Sequence, residues 1–328
     1  MDPSPGQPTD TETGLDEVES SLTWIWGSPR SGSSWLLELL CHPAQVDRDA
    51  RLGFRLREGS TGPAAVIPAD EPSFGHHLAP FDGAPVAFYE EWLPGSIING
   101  SEKRPTYLLS EEHAGTWEPW MRGLVLARLG AVRREAAEMG IATPDAGIVV
   151  KETPSGHAAD RVMGLLPRSR ALLLTRDPRD VVDSLMHAMR PGGFMARQFG
   201  VSIGDEDRAD GVLWAARTWA MSMDVAKHAL AGHDPSLART VRYEDLLADP
   251  AGITSELLSW LGRGTGRAEV ERAVGELAFG SLPSDSIGKL ERNRSATPGA
   301  WRENLSPAEA ATVAEIAGER LERYGYSA

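Results

Sequence analysis

The stretch Trp24–Leu40, WIWGSPRSGSSWLLELL, sets an apolar run against a short polar turn and then resumes the apolar run. Few local structures satisfy that pattern. A buried strand that passes through a tight turn into a helix does so, and the turn holds Gly27, Pro29, Arg30, Gly32 and the serines Ser28, Ser31, Ser33 and Ser34. Strand, glycine-rich turn and helix together aim backbone N–H groups and a helix N-terminus at one point. That arrangement suits an anion, most often a phosphate. Gly27 and Gly32 have the spacing of a GxxxxGK[ST] nucleotide loop, but Ser33 occupies the lysine position. Arg30 offers a cation from inside the loop instead.

The rest of the chain alternates strand and helix patterns. A helical pattern over Trp117–Met139 precedes a short buried strand, Gly147–Lys151, and a helix near Ala158–Leu166 leads to the apolar strand Ala171–Thr175. Asp177, Pro178 and Asp180 read as an N-cap, a first-turn proline and an acidic first turn, so another helix starts there. Trp214, Thr218, Met221 and Val225 mark one face of a further helix, RTVRY reads as a strand, and the last third is mainly helical. Such alternation predicts an α/β fold, a P-loop-like three-layer sandwich around a central parallel sheet. Residues 1–20 mix Pro, Gly, Thr, Asp and Glu without apolar periodicity and read as a disordered acidic tail. A single domain over 21–328 follows.

Composition narrows the function. With 328 residues and 41% hydrophobic content the chain can bury a sizeable core. Its formal charge of -14 argues against general nucleic-acid binding, so any anion site must be built locally. The lone cysteine, Cys41, excludes an internal disulfide framework and suits packing on an apolar helix. No run approaches the ~18 apolar residues of a membrane span, and the N-terminus lacks a secretory layout, so a cytoplasmic protein without a membrane span is expected. Val46–Gly115 is rich in Gly and Pro, with Phe74, Phe81, Phe88, Tyr89 and Trp92 set into it, and reads as irregular structure over a scaffold.

The second informative stretch is LLLTRDPRDVVDSL. It places Arg176 at a strand end and Ser184 inside the next helix, a planar anion-binding fork and a hydroxyl near one sheet edge. Together with the loop Pro29-Arg30-Ser31-Gly32-Ser33-Ser34-Trp35, it resembles the cytosolic and carbohydrate sulfotransferase family, whose donor is 3′-phosphoadenosine 5′-phosphosulfate (PAPS). The resemblance implies that the loop binds the 5′-phosphosulfate and that Arg176 and Ser184 bind the 3′-phosphate. VRYEDLLADP resembles the family's Tyr-Glu-Asp segment and nominates Tyr243 beside the adenine. RSATPGAWRENLS resembles the late loop that closes over the 3′-phosphate, with Arg294 in the arginine's place. Ser295 and Ala296 depart from that loop's lysine and glycine.

The implied reaction is sulfuryl transfer from PAPS to a hydroxyl, or less readily an amine, of a small-molecule or glycoside acceptor. Adenosine 3′,5′-bisphosphate (PAP) is the product nucleotide, and the transfer needs no metal in principle. Positioning and charge stabilisation on the leaving oxygen are the main tasks. Arg30 stabilises that charge, aided by Ser33 and Ser34, and Lys151 stands where the family has a lysine close to the transferred group. The familiar cytosolic members place a histidine base where this chain has Thr153, so Glu152 is the first candidate base and His157 the second. The segment 46–146 carries no matching motif and is the expected acceptor region; oligomeric state is left open. A small-molecule kinase with a degenerate loop and a non-catalytic nucleotide-binding protein are the alternatives, separated by magnesium-dependent ATP turnover and by PAP binding without turnover.

Overall fold

The computed structural model describes residues 10–41, 64–67, 113–138, 144–151, 159–199, 202–263, 265–278, 281 and 297–327, with 64–67 described by backbone alone. The architecture is α/β with a parallel sheet. Among the described residues five strands, β1 (Leu22–Gly27), β2 (Ala64–Ile67), β3 (Gly147–Lys151), β4 (Arg170–Thr175) and β5 (Ala238–Arg242), form one sheet in the order β2-β3-β1-β4-β5. β1 is therefore the middle strand. It runs parallel to β3 in the register Leu22 with Ile148 through Ile25 with Lys151, and β2 also runs parallel to β3. Continuous burial explains the near-unbroken apolar character of β1 and β4, since strands covered on both faces need no alternation. Among the described residues no helix is long and apolar enough to cross a membrane.

Contacts divide the chain into two compact units. The first comprises Met1–Trp26, Cys41–Leu172 and Ala226–Arg239. Trp24 and Trp26 lie two residues apart on β1 and so share a sheet face; their rings stack at 5.7 Å, and Trp26 Nε1 donates to Met163 Sδ on α4 (Ala159–Leu165). The long helix α3 (Ala114–Glu138) lies in the same unit.

A helix, α1 (Asp10–Ser21), also belongs to this unit and corrects the reading of a disordered tail over residues 10–20; residues 1–9 lie outside the described residues. Three of the acidic residues that made this segment look unable to order itself are paired. Asp16 pairs with Arg122 and Arg168, Glu17 with Arg133, and Glu19, which is fully buried, with Arg122. Glu19 Oε1 also accepts the Arg168 N–H at 2.8 Å. Arg168 and Arg122 together lower the Asp16 pKa against the opposing effect of burial. Buried carboxylate without such partners would have been prohibitive.

The second unit comprises Gly27–Leu40, Leu173–Val225 and Thr240–Ala328. It holds α2 (Ser33–Cys41) up to Leu40, α5 (Pro178–Met189), α6 (Phe194–Phe199), most of α7 (Arg208–Ala231), α8 (Tyr243–Ala248), α9 (Pro250–Trp260), α10 (Arg267–Glu276), α11 (Trp301–Asn304), α12 (Pro307–Ala317) and α13 (Arg320–Arg323). Asp177 caps α5 through the Arg179 N–H with Pro178 in the first turn, as its sequence predicts. Ser306 and Glu309 form a reciprocal capping box at the start of α12.

Three further readings change. β2 falls inside the stretch expected to be irregular; the aromatics Phe74, Phe81, Phe88, Tyr89 and Trp92 lie outside the described residues. The buried face of α7 is Val212, Ala215, Ala216, Trp219, Met223 and Ala226, whereas Trp214 is 48% exposed, so the face expected from Trp214, Thr218, Met221 and Val225 is displaced by about one residue. Small alanines carry the true stripe, and they mark a helix face less strongly than the larger residues beside them. Lastly, the strand read through Tyr243 ends at Arg242, and Tyr243 opens α8.

Candidate functional site

The loop leaving β1 turns sharply because two glycines permit close approaches. A Cβ on Gly27 would lie 2.5 Å from the Leu174 carbonyl oxygen on β4. Gly32 has φ +93°, and a Cβ there would stand 2.4 Å from Tyr243 Cδ2. Between them Arg30 adopts φ +68°, a left-handed conformation that costs a non-glycine residue about 1–3 kcal/mol. The Ser31 N–H closes the turn on the Ser28 carbonyl at 3.3 Å, and the Leu36 N–H bonds the Gly32 carbonyl at 3.1 Å, starting α2.

The strained backbone directs the Arg30 side chain along the loop's exit toward α5 and α6. Its Nε donates to Ser184 Oγ at 3.0 Å, and its guanidinium carbon lies 5.0 Å from the Phe194 ring centroid. Arg176, just beyond β4, returns the contact: its NH1 donates to the Arg30 carbonyl at 3.0 Å. The Arg176 guanidinium stacks on the Tyr243 ring at 4.5 Å, and Trp35 meets the same ring edge-on at 6.3 Å. Trp219 Nε1 on α7 fixes the Arg176 carbonyl at 3.2 Å. Burial raises the Tyr243 phenol pKa, opposed by the cations Arg176 and Arg30.

Several buried polar atoms here have no hydrogen-bond partner among the described residues: Ser28 Oγ, Ser31 Oγ, Trp35 Nε1 and Arg176 Nε. Unsatisfied buried donors cost about 1–3 kcal/mol each. A cationic, hydroxyl-lined cluster with that much unused donor capacity is suited to an anion bearing several acceptor oxygens.

Thus Arg30, Gly32, Trp35, Arg176, Ser184 and Tyr243, from three separated segments, meet within the second unit. Ser31, Ser33 and Ser34 lie in the same loop and first turn of α2, with Ser31 and Ser33 buried. Lys151 ends β3 in the first unit, its Cα paired with that of Ile25. Glu152, His157 and Arg294 lie outside the described residues.

The structure adds groups that sequence reasoning did not place in the site. Asp180, nearly fully buried, accepts the N–H groups of Gly299 at 2.7 Å and Trp301 at 3.2 Å and so ties the turn before α11 to α5. Burial raises its pKa, against those two hydrogen bonds and the Arg176 charge. The acidic first turn was legible, but its distant partner was not. Phe194, which faces Arg30, carried no local signal at all.

An α/β protein with a cationic, hydroxyl-lined cluster beside a glycine-rich loop is the class that fold and site define. A model of the sulfotransferase family matches residues 23–265, and the chain belongs to that family. It is similar to carbohydrate sulfotransferase 5 of Mus musculus, 29% identical over 167 residues, covering 48% of this chain and 41% of that protein, less than half its length. Among solved structures, retinol dehydratase, crystallised with androsterone and the inactive cofactor PAP, superposes with TM-score 0.53 at 16% identity, over 97% of this chain and 86% of the other. Sulfotransferase STF9 from Mycobacterium avium gives TM-score 0.51 at 15% identity, over 96% and 79%.

Proposed function

We propose that this chain transfers a sulfuryl group from PAPS to a hydroxyl of a small-molecule or glycoside acceptor. The observation that carries the reading is the meeting of Arg176, Ser184 and Arg30 around Tyr243. Family membership supports the reaction class, and the PAP bound in retinol dehydratase supports the nucleotide.

Each residue then has a physical task. Arg176 and Ser184 take the 3′-phosphate, with Arg294 the candidate third contact. Ser184 accepts from Arg30, so its own O–H stays available to donate to a phosphate oxygen. Tyr243, already stacked with Arg176, offers a face for the adenine. The acceptor oxygen attacks sulfur as the bond from sulfur to the 5′-phosphate oxygen breaks. The acceptor proton passes to a base, Glu152 first and His157 second. Negative charge grows on the departing phosphate oxygen, where Arg30, the amides of the loop, Ser33, Ser34 and Lys151 act; such preorganised donors strengthen as charge develops. The segment 46–146 takes the acceptor.

Calorimetry with PAP and AMP tests the donor assignment, and labelled PAPS with a panel of hydroxyl acceptors tests the transfer. PAP should bind much more tightly than AMP. Equal affinity for the two nucleotides would overturn the assignment, as would turnover that depends on ATP and magnesium rather than PAPS.

A further inference from the structure

Residues 297–327 lie beyond the matched family segment, yet their last described residues reach the back of the Arg176–Tyr243 pair. Tyr326 is 6% exposed and its hydroxyl donates to Glu244 Oε2 at 3.0 Å. The other oxygen of the same carboxylate, Oε1, accepts the Asp177 N–H at 3.0 Å. Glu244 directly follows Tyr243, and Asp177 directly follows Arg176. One carboxylate therefore ties together the two backbones that present the guanidinium and the ring on which it stacks. Thr175 Oγ1 lies 3.5 Å from the same phenol oxygen, on the other side of Arg176 in sequence.

Tyr326 is itself held. The Arg242 guanidinium covers its ring at 4.7 Å, and its N–H bonds the Leu321 carbonyl at 2.8 Å. Arg179 donates to the Ser327 carbonyl at 2.7 Å and anchors the next residue to α5. Burial, reinforced by the Glu244 charge, pushes the phenol pKa upward, so the hydroxyl remains a donor.

We propose that Tyr326 and Glu244 act as positioning residues that hold Arg176 against Tyr243 in the register needed to receive the donor's 3′-phosphate. The proposal rests on the donor assignment above. Neither side chain touches the nucleotide; their effect passes through the backbones of Asp177 and Tyr243.

The test is the ratio of PAP to AMP affinity, measured calorimetrically on the full chain, because the two nucleotides differ only in the 3′-phosphate. Tyr326→Phe removes one hydrogen bond and keeps the ring packing. It should cut the ratio about three- to tenfold. Glu244→Ala should cut it at least as far, and the double variant no further than the larger single, as expected for two residues in one chain of contacts. Glu244→Gln keeps an acceptor for the Asp177 N–H and should retain most of the ratio, which covers the case of an Ala variant that fails to fold. Val313→Ala, at a buried position on α12, is the stability control: it should lower the melting temperature and leave the ratio unchanged. A Tyr326→Phe protein that melts earlier with a wild-type ratio would make the contact merely structural and overturn the proposal. Multiplicative losses in the double variant would also overturn it. A wild-type chain that binds PAP and AMP equally would instead overturn the donor assignment.

Discussion

Replacing Gly32 by alanine tests the geometry of the loop directly. Two costs are separable. The first is backbone strain: φ is +93°, outside the range that L-residues favour, at about 1–3 kcal/mol. The second is contact, since the new Cβ would lie 2.4 Å from Tyr243 Cδ2 and 2.6 Å from Cε2. Carbon atoms pack at about 3.5–4.0 Å, so the ring must retreat by roughly 1 Å, and overpacking of this kind typically costs about 1–3 kcal/mol. Gly262 provides the control. It has φ +73° with open space around its Cβ position, so Gly262→Ala carries the strain without the contact. Urea denaturation should show Gly32→Ala less stable than Gly262→Ala by about the overpacking cost of 1–3 kcal/mol. Only Gly32→Ala should weaken PAP binding, because a displaced Tyr243 loses its stack on Arg176. Tyr243→Ala should recover part of the stability lost in Gly32→Ala. Equal costs at the two glycines with PAP affinity intact would refute the reasoning.

Other consequences follow from the same geometry. Arg176→Ala should weaken PAP by at least about tenfold, since a charged hydrogen bond is worth roughly 1.5–3 kcal/mol, and Arg176→Lys should lie between, having the charge without the fork; calorimetry measures both. Arg30→Ala should lower kcat with PAPS by about 100-fold or more while weakening PAP less, and Arg30→Lys should recover part of kcat; an unchanged kcat with a raised KM for PAPS would make Arg30 a uniform binding residue. Glu309 has a lowered pKa: burial opposes ionisation, but hydrogen bonds from Ser306 and Arg208 outweigh it. Its folded carboxyl therefore releases its proton below the unfolded value. The stability lost in Glu309→Gln should be fully seen above the ordinary glutamate pKa and should vanish as pH falls through the lowered folded value, measured by urea denaturation across pH.

What the sequence made legible was local. The strand Gly147–Lys151 needs only the short apolar run Ile148–Val150 and its flanks, and the structure places it over the same residues. The start of α5 needs only Asp177 and Pro178 to be read. Arg176, Ser184 and Tyr243 became visible through spacing and resemblance, and the structure brings them together. What stayed hidden was nonlocal. The carboxylates of α1 looked like solvated charges because their partners, Arg122, Arg133 and Arg168, stand about a hundred or more positions downstream. Asp180 read as helix-start chemistry, while its hydrogen bonds run to Gly299 and Trp301. No window of sequence holds both ends of such a contact.

The clearest instance is the pair of arginines in TRDPRD. Arg176 and Arg179 flank the same aspartate and proline, and nothing in composition or periodicity distinguishes them. Their surroundings do. Arg179 forms a fork with both oxygens of Asp177 at 2.9 Å, donates to the Ser327 carbonyl and lies over the Trp301 ring at 4.5 Å. Its charge is paired and its Nε and NH2 donate to Asp177 and Ser327, so it fastens α5 to the chain's last described residues. Arg176 has no carboxylate in ion-pair contact among the described residues. A neutral carbonyl and an aromatic face hold it, and its Nε is buried without an acceptor among the described residues. A chain with net charge -14 could readily have supplied a carboxylate there. A cation whose direct contacts are neutral can take an incoming anion without first breaking an ion pair. The difference between Arg179 and Arg176, the arginine proposed to take the 3′-phosphate, therefore lies in which partner each is denied, a property of the folded site that the motif alone does not carry.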